Sequence, residues 1–261
     1  MSEEKSTRKS KQSRRNTKLS SGAKLAIIVA ICLVVFVCVL AITYGIRKAE
    51  QERKERESPR IIEGPDGPCG IECVNAEKPM IYLYPEKKTE VTIKLGNPQN
   101  LTTTYPKYDT GWRVTAEPGG KLLGQDGREY YGLYWEGKSA SYHENDEGFV
   151  VKGEDTAQFL EDKLAILGLT EREAEEFIVY WLPKMEHNEY NYIRFATDSE
   201  IALNMPMEVT PKPDTMIRIM MLTKKLEEPK KIREQQLKSA ERKGFTVVEW
   251  GGVDLGLQSI K

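Results

Sequence analysis

The chain has 261 residues with 39 basic side chains, 40 acidic side chains and two histidines, so its formal net charge is −1. The charge is divided unevenly: residues 1–24 carry a net charge of +6, residues 47–57 carry +1, and the 26 basic and 34 acidic residues of 58–261 leave −8. An acidic main domain argues against nucleic acid as a partner, because phosphate binding needs a basic face. Two histidines are too few for a histidine-rich zinc site, and we expect no metal and no cofactor.

One uninterrupted apolar run occupies residues 25–46 (LAIIVAICLVVFVCVLAITYGI) and contains no charge. At about 1.5 Å per residue, this length crosses a hydrocarbon core of about 30 Å as a single helix. A cleaved signal peptide is the alternative, but the only site resembling its cleavage motif, Val39 to Ala41, lies inside the run. The run therefore predicts an uncleaved signal-anchor and a single-pass membrane protein, with the lipid bilayer as its first partner.

The flanks of this run predict its orientation. Residues 1–24 are rich in Ser, Lys and Arg and read as a disordered, basic tail on the cytoplasmic side, although residues 47–57 are also basic. Residues 47–68 read as a charged helical stalk followed by a turn-rich linker. Cys69 and Cys73 (CGIEC) suit a local disulfide in an oxidising compartment, which places the domain of residues 69–261 outside the cell membrane.

The first half of this domain is strand-like. Val91, Ile93 and Leu95 alternate with polar residues, as in a half-buried strand. The predicted strands are Met80–Tyr84, Glu90–Leu95, Gly111–Ala116, Glu129–Trp135 and Gly148–Lys152. Two helices and further strands follow.

The first helix is predicted from an Asp155 cap to Gly168, and the second from Thr170, with Glu173 completing a capping box, to Pro183. Further strands are predicted at Asn191–Ala196, Thr215–Leu222 and Phe245–Trp250. Strands on either side of a helix pair predict an α+β fold with a mostly antiparallel sheet and two central helices.

Six segments carry a family resemblance: 78–85 (KPMIYLYP), 111–118 (GWRVTAEP), 129–137 (EYYGLYWEG), 148–155 (GFVVKGED), 177–183 (FIVYWLP) and 244–251 (GFTVVEWG). Together they resemble a family of secreted or membrane-anchored bacterial proteins with no established activity. The resemblance spans roughly residues 78–251 and implies one extracytoplasmic domain. It implies no catalytic residues.

Aromatic and acidic side chains form the first candidate ligand site. Exposed Tyr and Trp beside carboxylates suit sugar rings and also anchor protein interfaces, whereas strand aromatics often pack in the core. Alternation through residues 130–136 places Tyr131 and Trp135 with Leu133 on the core face. The candidates are Trp112, Tyr130, Tyr134, Trp135 and Glu136.

Two polar loops are weaker candidates. The loop after the second helix contains His187, Asn188 and Tyr190, and His187 is a potential general base, although a lone histidine on such a loop is more often solvated. Residues 142–147 (YHENDE) offer oxygen ligands for Ca²⁺ but lack the spacing of an EF-hand loop, so a surface loop is the simpler interpretation.

The sequence contains no GxSxG or GxGxxG motif. The leading hypothesis is therefore a membrane-anchored extracytoplasmic module that binds cell-wall polysaccharide or another envelope protein. One alternative is a membrane-tethered, glycosidase-like hydrolase using Glu136 and Asp146, with His187 as a further candidate. Another alternative is a structural subunit of a membrane complex.

Overall fold

The computed structural model describes residues 74–139, 142–238 and 240–259, together with Thr43 and Lys48. The chain divides into two compact units, Met1–Arg60 and Ile61–Lys261. Thr43 and Lys48 are helical, and the rest of the predicted anchor, the stalk and the Cys69/Cys73 pair lie outside the described residues. Within the described part of the chain, no helix has the length and apolarity needed to cross a membrane.

The second unit has an α+β fold with two mostly antiparallel sheets and three α-helices among the described residues, which confirms the predicted class. The strands are β1 Val74–Tyr84, β2 Thr89–Leu95, β3 Leu101–Tyr105, β4 Trp112–Ala116, β5 Leu122–Gly124, β6 Glu129–Tyr130, β7 Leu133–Ser139, β8 Glu147–Lys152, β9 Tyr190–Phe195, β10 Met207–Thr210, β11 Thr215–Leu226, β12 Arg233–Glu234 and β13 Thr246–Asp254. The helices are α1 Thr156–Ile166, α2 Glu171–Met185 and α3 Asp198–Asn204.

Eight strands form the larger sheet in the order β12-β8-β9-β11-β13-β1-β7-β3, and five form the smaller sheet in the order β10-β2-β4-β5-β6. Two pairs, β11 with β13 and β12 with β8, are parallel. β11 pairs on both sides and is central in the larger sheet.

The larger sheet separates two apolar cores. In β1, Ile81 and Leu83 point into the core shared with the smaller sheet, whereas Met80 and Tyr82 point into the core shared with α1 and α2. Because successive side chains of a strand point to opposite faces, a strand covered on both sides is apolar at nearly every position. This explains the continuous apolar character of MIYLY and places Tyr82 on the helical side.

Helix α2 begins as predicted, because the Thr170 side chain accepts from the Glu173 backbone and the Glu173 carboxylate accepts from the Thr170 backbone. Its predicted end was wrong, since Pro183 lies inside the helix. Proline removes the hydrogen bond to the carbonyl four residues earlier. That residue, Val179, is 68% exposed, so water can bind the freed carbonyl.

Helix α1 ends at Ile166 and is closed by Gly168 just beyond its C-cap, as predicted, and the positive φ of 93° at this position suits glycine. At its other end, the Asp155 side chain makes no capping hydrogen bond, and a 3₁₀ turn over Gly153–Asp155 leads into the helix instead. The third helix, α3, was not predicted, although Thr197 and Glu200 form a capping box at its start.

The predicted strand Glu129–Trp135 is in fact two strands in different sheets. β6 ends at Tyr130 in the smaller sheet, and β7 starts at Leu133 in the larger sheet. The chain crosses between the sheets at Tyr131 and Gly132. A Cβ atom at Gly132 would lie 2.8 Å from the Met80 Cε and 3.2 Å from the Ile81 carbonyl oxygen, so a side chain there would require the end of Met80 to move.

Candidate functional site: a tyrosine-lined cleft

Helix α2 lies along β1, and hydrogen bonds between tyrosines and glutamates join the two elements. The Tyr84 hydroxyl donates to Glu173 Oε1 at 2.6 Å, and the Tyr82 hydroxyl donates to Glu176 Oε2 at 2.7 Å. Residues two apart on a strand share a face, and residues three apart on a helix are neighbours. These periods place both hydrogen bonds at the same end of the α2–β1 contact.

A cleft of about 500 Å³ opens at this end. It lies between the start of α2, the end of β1, strand β6 and the turn before β5. Its aromatic and charged lining comprises Tyr82, Tyr84, Tyr130, Tyr131, Lys121, Glu129, Arg172, Glu173 and Glu176. We call this space the tyrosine cleft.

The crossing between the two sheets forms one wall of the tyrosine cleft. Tyr131 is 52% exposed, and its ring centroid lies 6.5 Å from that of Tyr82. Arg172 Cζ lies 5.9 Å from the Tyr131 ring, within range of a cation–π interaction. The alternation argument that assigned Tyr131 to the core was wrong, because strand pairing is interrupted between Tyr130 and Leu133.

A tight turn forms another wall. Gly120 has a φ of 84°, and its backbone N–H donates to the Glu117 carbonyl. A Cβ atom there would lie 2.7 Å from Tyr84 Cε1, closer than carbon atoms can approach. The absence of a side chain therefore lets the turn pack beside the Tyr84 ring.

Every carboxylate of the lining has a cationic partner. Glu173 is 1% exposed and binds the Arg242 guanidinium, which also donates to the Gly168 carbonyl. Glu176 accepts from Arg172 at 3.2 Å. In addition, Glu129 accepts from Lys121 at 2.9 Å, so the lining presents paired charges of both signs.

The tyrosine hydroxyls that contact these carboxylates remain protonated at neutral pH. Burial raises the pKa of Tyr82, and the hydrogen bond to Glu176 raises that pKa further. Burial likewise raises the pKa of Tyr84, with a further contribution from the hydrogen bond to Glu173. Each hydroxyl therefore donates to its glutamate and leaves its oxygen lone pairs able to accept from a ligand.

Among the residues predicted from the sequence, Tyr130 lines the tyrosine cleft, whereas both tryptophans lie in the core. Trp112 is 3% exposed and donates its indole N–H to the Pro106 carbonyl at 2.9 Å. Trp135 is 2% exposed and donates to Glu249 Oε1 at 2.9 Å. Since burial removes their rings from solvent, neither can stack on a ligand.

Tyr134 and Glu136 lie away from the tyrosine cleft, near a bulge in β1. Lys78, which has a φ of 58°, places its Nζ 5.4 Å from the Tyr134 ring and donates its backbone N–H to Glu136 at 3.4 Å. Burial raises the pKa of Tyr134, and the side chain of Glu136 raises it further. Tyr134 and Glu136 therefore contact Lys78 in the bulge of β1.

The loop after α2 also lies outside the cleft lining. The His187 side chain is 86% exposed and lies 3.6 Å from Glu186. Asn188 donates to the buried Asn191 side chain at 2.7 Å, a contact that fixes the loop. Tyr190 begins β9 and is half-buried.

The structure separates the carboxylates suggested for a hydrolase. Glu136 lies on β7, Asp146 directly precedes β8, and five strand-to-strand steps separate these strands. At about 4.8 Å per step, this is a separation of about 24 Å. Glycosidase carboxylates lie about 5–10 Å apart, so this pair cannot form such a site.

The acidic loop over residues 142–147 is held by cations from the protein. Glu144 accepts from Lys224 at 2.9 Å and from Lys230 at 2.6 Å, while Glu147 pairs with Arg233 at 3.2 Å. Among the described residues, no group of three acidic, histidine or cysteine side chains is placed to hold a metal. The loop therefore joins β8 to the segment around β12.

Most residues of the tyrosine cleft were not predicted from the sequence. Tyr82 and Tyr84 stand two apart in MIYLYP, and Arg172, Glu173 and Glu176 lie within two turns of α2. The sequence alone shows that Tyr82 and Tyr84 share one face of a strand and that the three charged residues share one part of a helix. No local pattern indicates that this strand face and this helix contact each other.

Comparison of the chain with protein-family models, with curated proteins and with solved structures finds no match in any of the three. The resemblance to a bacterial family therefore stays a prediction.

Proposed function

We propose that this protein is a membrane-anchored extracytoplasmic module that binds a neutral saccharide in the tyrosine cleft. The observation that carries the proposal is the lining itself: four tyrosines with paired charges around a space of about 500 Å³. Ligand sites are concave, rich in aromatic side chains and supplied with a few fixed polar groups. The tyrosine cleft meets each of these conditions.

Tyrosine rings and paired charges together favour a saccharide. Sugar rings have apolar faces that pack on aromatic rings and hydroxyls that both donate and accept hydrogen bonds. The exposed ring of Tyr131 offers the first surface. Lys121 and Arg172 donate, and the exposed Glu129 carboxylate and Tyr131 hydroxyl accept, so the lining serves both roles of a hydroxyl.

The charge balance favours a neutral ligand over an ionic one. Because Arg242 pairs with Glu173, Arg172 with Glu176 and Lys121 with Glu129, no side-chain charge of the lining lacks a partner nearby. An anionic or cationic ligand would have to break one of these pairs. A neutral polyol keeps all three.

The hydrogen bonds of the two inner glutamates favour binding over hydrolysis. Glu173 Oε1 accepts from Tyr84, and its Oε2 accepts from the Thr170 backbone and Arg242. Glu176 Oε1 accepts from Arg172 and its Oε2 from Tyr82. All four oxygens are engaged within the protein, whereas a glycosidase needs one carboxyl to reach the leaving oxygen.

The proposed location rests on the sequence. The apolar run of residues 25–46, preceded by a +6 tail, supports an anchor with a cytoplasmic N-terminus and the main domain outside. A saccharide site on the outer face of the membrane would meet cell-wall polysaccharide, which we propose as the partner.

The exposed apolar residues give no support to a subunit role. The large ones among the described residues belong to eight different segments: Tyr105, Leu123, Tyr131, Ile166, Val179, Leu203, Met216 and Leu257. Of these, Tyr105 and Tyr131 lie on either side of Tyr130 and belong to the surface assigned to the saccharide, whereas a subunit interface requires a contiguous apolar patch.

An array of neutral and charged glycans tests the proposal, with the full-length chain in detergent as the probe. We expect binding to neutral glycans, and we expect Tyr131→Ala to reduce it at least tenfold. Tyr190→Ala is the matched control, because Tyr190 is a half-buried tyrosine outside the cleft. Binding only to charged glycans, only to a protein, or equal binding by Tyr131→Ala would overturn the proposal.

A further inference from the structure

An exposed aromatic ring lies directly outside the tyrosine cleft. Tyr105 is 56% exposed at the end of β3, which is the edge strand of the larger sheet. Its ring packs edge-to-face on Tyr130, with centroids 5.6 Å apart. Since Tyr130 lines the tyrosine cleft, Tyr105 extends the aromatic surface beyond it.

Tyr130 is held firmly between the cleft and Tyr105. Its hydroxyl donates to Asp126 at 2.6 Å. Its ring covers Gly124, where a Cβ atom would lie 2.8 Å from the Tyr130 ring. A ring fixed at its hydroxyl and along one side loses little conformational freedom when a ligand packs on it.

The five tyrosine rings form a series of two contacting groups, which are joined by the chain between Tyr130 and Tyr131. Inside the cleft, the Tyr82 centroid lies 6.5 Å from both Tyr84 and Tyr131. Tyr130 directly precedes Tyr131 in the chain, and Tyr105 follows at 5.6 Å. The series thus runs from the start of α2 to the edge of the larger sheet.

From this series we infer that the ligand is a chain of linked neutral sugar units, and that Tyr105 with Tyr130 forms a further subsite outside the cleft. The inference rests on the proposed function and names its ligand class. A single sugar unit packed on Tyr131 leaves Tyr105 uncovered. A longer chain extends past Tyr130 onto Tyr105, and beyond Tyr105 the β3 residues Thr102 and Thr103 are also exposed.

Titration calorimetry with chito-oligosaccharides and cello-oligosaccharides of one to six units tests the inference, using the full-length chain in detergent. We expect the affinity of the wild type to rise with chain length and then level off. Tyr105→Ala should leave the affinity for the shortest binding oligosaccharide unchanged. For the longest chains it should lower the affinity roughly tenfold, which corresponds to about 1.4 kcal/mol.

Two further variants distinguish a lost subsite from other effects. Tyr105→Phe keeps the ring and should retain the affinity for long chains. Tyr131→Ala should weaken binding at every length, because Tyr131 lies inside the cleft. Thermal unfolding of each variant establishes that it is folded.

Three results would overturn the inference in different ways. If Tyr105→Ala changes no affinity at any length while Tyr131→Ala abolishes binding, the further subsite is absent and the proposed function stands. If Tyr105→Ala weakens binding equally at all lengths, Tyr105 belongs to the cleft itself. If the wild type binds none of these oligosaccharides and no neutral glycan of the array, the proposed function fails together with the inference.

Discussion

The two ends of the α2–β1 contact use the same residue types and differ in what they form. At one end, Tyr82 and Tyr84 bind Glu176 and Glu173 beside a cleft of about 500 Å³. At the other end, the Tyr180 hydroxyl donates to Glu77 at 2.9 Å, and no residue of this pair lines the tyrosine cleft. Residue type alone therefore does not distinguish a candidate site from a structural contact.

The surrounding backbone makes the difference. Beside Tyr84, the turn at Gly120 and the crossing at Tyr131 hold two segments apart from α2 and leave space between them. Beside Tyr180, side chains fill the space: Lys184 Nζ binds Glu77 and lies 4.4 Å from the Tyr180 ring, and Trp181 packs on that ring at 5.2 Å. The cleft therefore lies at the end where the Gly120 turn and the crossing at Tyr131 face α2, whereas at the other end Lys184 and Trp181 fill the space.

The largest expected effect is on stability at the cleft end. Glu173→Ala removes the acceptor of Tyr84, the partner of Arg242 and half of the capping box. Because Glu173 is 1% exposed, we expect a loss of about 3 kcal/mol in the free energy of unfolding, measured by urea denaturation. Glu77→Ala is the control from the other end. Its partner Lys184 is more exposed, so a loss of about 1 kcal/mol or less is expected, and an equal loss would remove the contrast between the ends.

A smaller effect on stability, with a large effect on binding, is expected at Gly120. Gly120→Ala places a methyl group against Tyr84 and forces a residue with a side chain to adopt a φ of 84°. We expect a loss of about 1–2 kcal/mol in the free energy of unfolding and a loss of saccharide binding measured by calorimetry.

Two glycines separate the causes of that effect. Gly119→Ala adds a methyl group with no atom within 4 Å and should leave the free energy of unfolding unchanged. Gly127→Ala has a φ of 77° with nothing nearby, so it should cost stability and leave binding intact. If Gly120→Ala retains full binding, the turn is not a wall of the functional cleft.

The smallest effect is expected in alkaline solution. Because burial and Glu176 raise the pKa of Tyr82 above the ordinary value of about 10, its contribution to stability is complete below pH 10. That contribution is lost as the pH rises toward the folded-state value, since the unfolded chain ionises first. The free energy of unfolding of Tyr82→Phe should therefore depend less on pH above 10, by at most about 1.4 kcal/mol per pH unit.

Tyr180→Phe makes the comparison with the other end. Burial also raises the pKa of Tyr180, but the nearby Lys184 opposes the rise. We therefore expect a smaller change in the alkaline slope for Tyr180→Phe than for Tyr82→Phe. Equal slopes in urea denaturation from pH 9 to 11.5 would contradict the expected order.

Helices and strands that are determined by neighbouring residues, such as helix caps and alternating apolar residues, were predicted from the sequence. The capping box of Thr170 and Glu173 predicted the start of α2, and the alternation of Val91, Ile93 and Leu95 predicted β2. The same reasoning applied to Thr197 and Glu200 would have found α3.

Features set by distant parts of the chain were not predicted. The sequence EYYGLYW reads as one strand, but Tyr130 pairs with β5 and Leu133 pairs with β1, and these distant partners divide the segment between two sheets. Because of this division, Tyr131 is exposed at the surface, whereas Trp135 is buried and donates to a buried glutamate. Residue types predicted an aromatic and acidic site, but most of the residues that form the cleft were not among the candidates.

The walls of the tyrosine cleft come from three distant stretches of the chain: β1, the region from the Gly120 turn to Tyr131, and the start of α2. Bringing such stretches together closes long loops, which costs conformational entropy. The contacts between the stretches offset this cost only once they have formed. The cleft is consequently complete only in the fully folded chain, and a partly folded intermediate has no binding surface to offer. A ligand held there stabilises the native state alone, so saturation with ligand would slow the unfolding of the domain.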